Sequence, residues 1–325
     1  MTGQNDAHDG APADGPTSTA SVPPASAPLV LRGRDLGPGP VVMAIVNRTD
    51  DSFYAGARTL DDRAAMAAVE RADLHGATIV DVGGVRAGVG PEVSATEEVR
   101  RVVPIVRRIR AEHPDLLVSV DTWRAEVADA AADAGADLIN DTWAGHDPRL
   151  VEVAGRHGIG VVCSHTGGAR PRTDPVRVEY RAPETGDPPA DPRDGVVLDA
   201  VAHLTAAARR AVACGVPARS VLVDPTHDFG KNTWHSLHLL RRTGALAGLG
   251  YPLLMALSRK DFIGESLDLP ADERLEGTLA ATAVAAWLGA RVFRAHDVAQ
   301  TVRVLEMVAV LRGDLPPARA VRGLW

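Results

Sequence analysis

A (β/α)8 barrel is the fold class this sequence predicts, and three observations predict it. Eight short apolar runs recur along the chain, a helix-like stretch rich in Ala, Arg and Glu follows each, and polar residues sit immediately after each run's last apolar position. The runs are 41–46, 78–82, 116–120, 137–139, 158–162, 220–223, 252–257 and 290–293. In such a barrel the C-terminal strand ends share one concave face, so eight polar tips read as a single site.

The elements follow in order. Residues 1 to about 38 hold Pro, Ala, Ser, Gly and Asp with almost no large apolar side chains, which predicts a disordered tail ahead of a barrel over 39–325. The first run ends at Asn47, and Asp61 and Asp62 precede a helix over 63–74. The second run ends at Gly83-Gly84. Ser94 then opens a Ser-x-x-Glu capping box with Glu97, before a helix over 99–109. Val99, Val102, Val103, Val106 and Ile109 of that helix fall on one face toward the barrel and the arginines of 100–110 on its wet face. Asp121 closes the third run and precedes a helical stretch over 122–134; capping that helix is its simplest role, to be weighed against a place in the site. Asn140-Asp141 follows the fourth run, and Asp147-Pro148 sets the N-cap and first position of a helix to His157. The fifth run leads through His165 into a Pro-, Gly-, Asp- and Arg-rich loop over 166–195, long enough to predict a lid or mobile insert. Asp224 ends the sixth run, Ser258-Arg259-Lys260 the seventh, and Arg294 and His296 the eighth.

Composition narrows the function. With 325 residues, 45% of them hydrophobic, and a net charge of −7, the chain can bury a large core and offers no basic surface for nucleic acid. Cys163 and Cys214 fit neither a disulfide framework nor a zinc spacing, which suits a reducing cytosol. No apolar run approaches the roughly 18 residues of a membrane span, and no signal-peptide order opens the chain, so a cytoplasmic enzyme is expected.

The tips divide into two chemistries. Asp121, Asn140 and Asp224 follow three different strands, and two carboxylates with a carboxamide suit a flat heterocycle with several N–H donors, such as a 2-amino-4-oxo pteridine. Lys260, Arg294 and His296 follow the seventh and eighth runs, where barrels commonly bind phosphate. Asn47 could add a neutral oxygen to a Mg2+ held mainly by substrate phosphates and water. Trp123, Trp143 and Trp234 each follow a strand tip and fit either stacking at the mouth or packing against loops. His227-Asp228 is a weak metal pair, because adjacent residues need not share a face.

These residues stand in ordered blocks that resemble the dihydropteroate synthases. The blocks are Asn47-Arg48-Thr49-Asp50-Asp51-Ser52-Phe53, Asp81-Val82-Gly83-Gly84, Ser119-Val120-Asp121-Thr122, Ile139-Asn140-Asp141, Asp224-Pro225 through Phe229-Gly230-Lys231, Ser258-Arg259-Lys260 and Arg294-Ala295-His296-Asp297. The resemblance implies a dimeric barrel that condenses 6-hydroxymethyl-7,8-dihydropterin diphosphate with 4-aminobenzoate and releases pyrophosphate, using Mg2+. It places Asp121, Asn140, Asp224 and Lys260 at the pterin, Asn47, Arg294 and His296 at the diphosphate, and Asn47 at the metal. Lys260, Asp224 and Arg294 would carry the reaction, and Arg86 and Ser258 would line the second-substrate side.

The departures fall on that second side. In the first loop Asp50 stands where the family has proline and Ala55 where it has aspartate; the second loop reads Val85-Arg86-Ala87-Gly88-Val89-Gly90 in place of Glu-Ser-Thr-Arg-Pro-Gly; and Thr226-His227-Asp228 replaces Gly-Ile-Gly. This pattern resembles a divergent second synthase paralogue of actinobacteria, a group regarded as lacking the standard activity. Three functions stay open on the sequence: a working synthase with altered loops, a pterin-binding barrel that is silent or uses another nucleophile, and a methyltetrahydrofolate methyltransferase-like protein, which would need no diphosphate site.

Overall fold

The computed structural model describes residues 27–47, 57–173, 179–180 and 191–322. The chain enters through an antiparallel hairpin, β1 (Val30–Leu31) and β2 (Arg34–Asp35), and then alternates strands with helices. The strands are β3 (Val41–Asn47), β4 (Ile79–Gly83), β5 (Leu117–Asp121), β6 (Leu138–Asp141), β7 (Gly160–Ser164), β8 (Val221–Asp224), β9 (Leu254–Met255) and β10 (Val292–Ala295). All pair in parallel, in the order β8-β7-β6-β5-β4-β3-β10-β9. The ring closes between β8 and β9 through one bridge among the described residues, Val223 to Leu253, with the Val223 N–H donating to the Pro252 carbonyl at 3.0 Å. Each of the eight expected runs is therefore a barrel strand; the seventh, expected over 252–257, narrows to two residues.

The helices are α1 (Ala57–Leu74), α2 (Ala95–Glu112), α3 (Ala125–Asp133), α4 (Leu150–His157), α5 (Gly195–Ala213), α6 (Thr233–Arg241), α7 (Thr243–Ala247), α8 (Asp261–Leu267), α9 (Leu275–Trp287) and α10 (Val298–Arg312). Outward strand residues such as Val80, Val120, Ile139 and Phe293 pack against them. In α2, Val102, Val103, Val106 and Ile109 are buried as the spacing requires. Ser94 caps that helix by accepting from the Glu97 N–H at 3.2 Å, but the reciprocal half of the box is missing, because the Glu97 carboxylate takes Arg100 and Arg101 instead. Asp147 serves both helices: its carboxylate accepts from the Ala125 N–H of α3 at 3.0 Å and from the Arg149 N–H at 3.1 Å, just ahead of α4, which starts at Leu150.

Strand alternation sorts the inward residues into layers. Met43, Ile79, Leu117, Leu138, Val162, Leu222, Leu254 and Val292 fill the lower barrel. Two residues further along the same faces come Asp81, Ser119, Asn140, Ser164, Asp224 and Arg294, so the interior turns from apolar to polar within one layer.

Of the tail expected over residues 1 to about 38, the part from residue 27 on is structured. Residues 1–26 lie outside the described residues, but the β1–β2 hairpin plugs the barrel floor, with Leu29 and Leu31 fully buried among the lower-layer side chains. Gly160 makes room for it: a Cβ there would stand 2.7 Å from Leu31 and 2.8 Å from the Ser220 carbonyl. The Ser220 hydroxyl donates to Val30 at 2.6 Å and Arg219 pairs with Asp35 at 2.6 Å. Composition hid the hairpin because two leucines suffice when the barrel supplies the remaining walls. Leu31→Ala should cost about 2–5 kcal/mol in urea unfolding, and deleting residues 27–38 should cost more; unchanged midpoints would show that the plug contributes nothing.

Candidate functional site

One row of the sheet runs from the first strand to the fourth. Asn47 is in register with Gly83, Gly83 with Asp121, and Asp121 with Asn140. A Cβ on Gly83 would stand 3.7 Å from both the Asn47 Oδ1 and the Asp121 Cβ, in ordinary contact, so the two side chains flank the glycine closely. Below it lies Asp81, fully buried, which accepts from the Ser119 hydroxyl at 2.6 Å, the Asn140 Nδ2 at 3.1 Å and the Arg294 Nε at 2.6 Å. The same guanidinium reaches Asp121 through Nη2 at 3.0 Å, and the Thr142 hydroxyl donates to the other Asp121 oxygen at 2.8 Å. Arg294 thus spans the barrel and ties two strand ends together. Burial opposes its charge, but Asp81 and Asp121 outweigh burial and hold it protonated above the ordinary range.

Asp121 therefore belongs to the site and does not cap α3, whose first turn is served by Asp147 and by the Thr122 hydroxyl, which accepts from the Arg124 N–H at 3.2 Å. With one amide N–H donated to Asp81, Asn140 keeps its carbonyl oxygen and a second N–H. Asp224, 4% exposed, accepts from the Thr226 N–H at 2.7 Å and keeps its other oxygen; burial pushes its carboxyl up to about 6 against the pull of that N–H and of Lys260 and Lys231. Burial also raises Asp121, with Arg294 opposing it. The result is a dry wall of acceptors.

Lys260 stands across from this wall. Its Nζ donates to the His227 carbonyl at 2.8 Å and sits 4.3 Å from the centre of the Phe229 ring, and burial lowers its pKa. Ser258 and His296 form a third group at the rim, with the Ser258 Oγ 3.0 Å from the His296 Nδ1 and accepting from the His296 N–H at 3.3 Å. Burial and the neighbouring Arg294 depress the His296 pKa, which favours the neutral ring. Arg259 turns away from the mouth to Asp297, at 3.0 and 3.1 Å. Arg86 lies exposed on the second loop and makes none of the contacts that tie the cluster. Residues 48–56, which carry most of the first loop, lie outside the described residues.

The segment after β8 departs from its expected role. Thr226 and Asp228 both adopt positive φ, 50° and 71°, in the backbone region that favours glycine. Each compensates locally: the Thr226 hydroxyl donates to the Asp224 carbonyl at 3.0 Å, and the Asp228 carboxylate accepts from the Asp261 and Phe262 N–H groups at 2.7 and 3.4 Å. His227 is fully buried, with its ring 5.5 Å from that of Phe262. His165 leaves the mouth, pairing with Asp199 on α5 at 2.7 Å. Trp143 packs edge-on against Phe229 at 5.0 Å, Trp123 is buried beneath Arg124, and Trp234 is exposed.

Sequence reasoning missed three residues here. Asp81, the hub, hides one position before the last apolar residue of its run. Ser164 is buried with its hydroxyl unpartnered among the described residues, in register with Asp224. Lys231, 2% exposed, donates to the His165, Thr226 and Phe229 carbonyls at 2.6, 3.1 and 3.0 Å and clamps two strand-end loops. Counting two residues back from each strand tip would have found the first.

Comparison with known proteins gives consistent results. A family profile described as pterin binding enzyme matches residues 43–296. A Mycobacterium leprae protein named inactive dihydropteroate synthase 2 is 57% identical over 284 residues, which cover 87% of this chain and 94% of that protein. Bacillus subtilis dihydropteroate synthase is 37% identical over 271 residues, 82% of this chain and 87% of the relative. The structure of Xanthomonas albilineans dihydropteroate synthase with 4-aminobenzoic acid superposes with a TM-score of 0.75 at 35% identity, covering 90% of this chain and 100% of that one.

Because the Asp224 carboxyl titrates higher when folded than unfolded, its ionisation opposes folding, a cost that grows as pH rises from about 4 to about 6. Asp224→Asn should therefore stabilise the ligand-free protein by roughly 2–3 kcal/mol at pH 7 and by little at pH 4. Urea unfolding across pH measures the gap, and a gap independent of pH would refute the assignment.

Proposed function

The chain belongs to the pterin binding enzyme family, in its dihydropteroate synthase branch, and from that premise we propose that it binds 6-hydroxymethyl-7,8-dihydropterin diphosphate in the barrel mouth while condensing it with 4-aminobenzoate slowly or not at all. The observation that carries the first half is the acceptor wall of half-buried Asp121 with buried Asn140 and Asp224, the first two held in place by Asp81 and Arg294 and the third by the Thr226 N–H. Such a wall matches the N–H groups of a pterin ring, and Lys260 above Phe229 closes the opposite side. Arg294 has its Nε and Nη2 committed to carboxylates, so Nη1 is the donor it offers to a diphosphate, beside His296 and Asn47. Those hydrogen-bond donors favour a diphosphate ligand over the unphosphorylated folate of a methyltransferase.

Among the described residues no three His, Cys, Asp or Glu side chains converge as a metal site. Asn47, a single exposed carboxamide, fits a Mg2+ that arrives on the diphosphate and takes the rest of its shell from phosphate and water. Bound there, Mg2+ would neutralise charge on the departing pyrophosphate. The residues of this chain do the remaining work: Asp121, Asn140 and Asp224 hold the ring as its exocyclic carbon turns electron-poor, and Arg294 and His296 steady the leaving group.

The second half rests on Asp228. It occupies a position of the family's Gly-Ile-Gly segment, and its carboxylate acts on the Lys260 ammonium through charge. An incoming aromatic carboxylate meets that extra negative charge, and the second loop around Arg86 lacks the threonine and proline of the family. The name of the 57%-identical relative supports this reading. We further propose a cytoplasmic homodimer, formed through the exposed apolar side chains Val284 and Trp287 of α9 and Met307 and Leu311 of α10. Among the described residues no helix is long and apolar enough to cross a membrane.

Two measurements test the reading. Calorimetry with the pterin diphosphate and Mg2+ should give binding, and its absence in folded protein would remove the proposal. Since Arg294 pairs with the fully buried Asp81 and the half-buried Asp121, Arg294→Ala should weaken the unphosphorylated pterin as well as the diphosphate, by about tenfold or more, because unpaired buried charge costs a few kcal/mol. Loss confined to the diphosphate would mean that Arg294 does not hold the acceptor wall. In single-turnover assays with 4-aminobenzoate, Asp228→Gly should raise the rate by about tenfold; a parent protein already as fast as the Bacillus subtilis enzyme would overturn the proposed deficit.

A further inference from the structure

Arginines flank and cross the second loop, residues 85–92. Arg101 of α2 donates to the Gly84 carbonyl at 3.1 Å just before the loop, and Arg124, just ahead of α3, donates to the Val93 carbonyl at 2.7 Å just after it. Both are tied to acids of α2, Arg101 to Glu97 at 2.8 Å and Arg124 to the buried Glu98. A third arginine differs. Arg172, in the loop that follows β7, donates through Nη1 to the Pro91 carbonyl at 2.7 Å and through Nε to the Gly88 carbonyl at 3.4 Å. Among the described residues these are the hydrogen bonds that tie 85–92 to the rest of the chain, and Arg172 has no carboxylate partner. A Cβ on Gly90 would stand 3.0 Å from the Arg172 Nη2, tighter than ordinary contact, so the guanidinium lies close against the loop backbone.

Two further features set Arg172 apart from an ordinary surface contact. Its backbone is strained: it sits at φ 60° in a turn where the Thr173 N–H donates to the Arg170 carbonyl at 3.2 Å and Pro171 holds the preceding place. Proline followed by a positive φ is the type II pattern, which favours glycine or asparagine at the second of those places, and a strained residue persists where its surroundings hold it. The strand order supplies the other feature. β5 and β6 separate β4 from β7, so the contact joins loops from strands three places apart, along the arc whose strands carry Asp121 and Asn140. We propose that Arg172 is a positioning residue, a latch that fastens the second loop to the β7 side and closes this arc of the mouth, so that a flat ring enters and leaves only when it lets go. Ion-paired arginines pin both ends of the loop, which leaves its middle as the part that opens. The latch stands on this geometry, and its effect on ligand exchange rests on the pterin reading above.

Arg172→Gly separates the latch from the turn, because glycine accepts that φ and lacks the guanidinium. In brief trypsin digestion of the full ligand-free chain, the cut after the exposed Arg86 should speed about tenfold relative to the cut after Arg319 in the exposed C-terminal segment, the scale expected when hydrogen bonds from a charged donor are lost. The melting temperature should not fall, since the turn is relieved of strain. Arg172→Lys should recover part of the resistance at Arg86, because an ammonium still donates but lacks the planar fork. With 6-hydroxymethylpterin as the probe, followed by its fluorescence, Arg172→Gly should speed association and dissociation by about tenfold each and leave Kd within about threefold. An unchanged cut at Arg86 would overturn the latch whether or not the pterin binds. A faster cut accompanied by a lower melting temperature would overturn it too, by making Arg172 a general support of the fold. Probe binding with unaltered rates in Arg172→Gly would overturn the gating.

Discussion

The bridge from Asp81 through Arg294 to Asp121 is the constraint on which the rest of this molecule depends. A guanidinium and two carboxylates sit inside a barrel whose lower half is packed with Leu, Ile, Met and Val. Taking those charges from water is expensive, so the fold tolerates them only because each finds a partner and because Ser119, Asn140 and Thr142 satisfy remaining lone pairs. The same arrangement orients the mouth. Asn140 is oriented by the N–H it donates to Asp81, and Asp121 faces inward because Arg294 holds it there. Stability and recognition are served by one set of bonds, spread over β4, β5, β6 and β10.

The two sides of the mouth differ in how they are built. The acceptor wall stands on strands whose register fixes it, and the side chains that matter there are buried. Opposite it, the segment after β8 holds Thr226 and Asp228 in a backbone conformation suited to glycine, stabilised by their own side-chain hydrogen bonds. Replacing glycines by residues that repair the strain locally preserves the path of the chain while altering what it presents. A barrel can in this way keep one half of a bimolecular site and lose the other without changing fold.

Much of this was legible in the sequence because a barrel translates strand order directly into position. The tips Asn47, Asp121, Asn140, Asp224, Lys260 and Arg294 could be placed on one face from the ends of apolar runs alone. Asp81 could not, since it precedes Val82 inside its run and reads as a strand interior; only the two-residue alternation reveals that it points into the barrel beneath Gly83. Arg294 read as a phosphate ligand because its two carboxylate partners lie 213 and 173 residues away along the chain. His165 and Arg259 were tips by position, yet both turn outward to acids on neighbouring helices or loops, and Arg86, placed on the second-substrate side by the resemblance, lies exposed. The floor hairpin escaped because its stability is borrowed from distant walls that local composition does not register.

The seam between β8 and β9 gives the mouth an asymmetric mechanics. Asp224 ends one of those strands and Lys260 follows the other, and the strands share one bridge, against two paired positions between β9 and β10 and four between β7 and β8. The hoop is therefore softest where its two flanking charges stand. On the proposed reading, a flat ring gripped by Asp224 and Lys260 would bridge that gap from within, as a keystone closes an arch. Occupancy would then be felt by the whole hoop, in its resistance to spreading and to proteolysis, and a barrel that no longer turns its ligand over would still carry a mechanical record of whether the ligand is present.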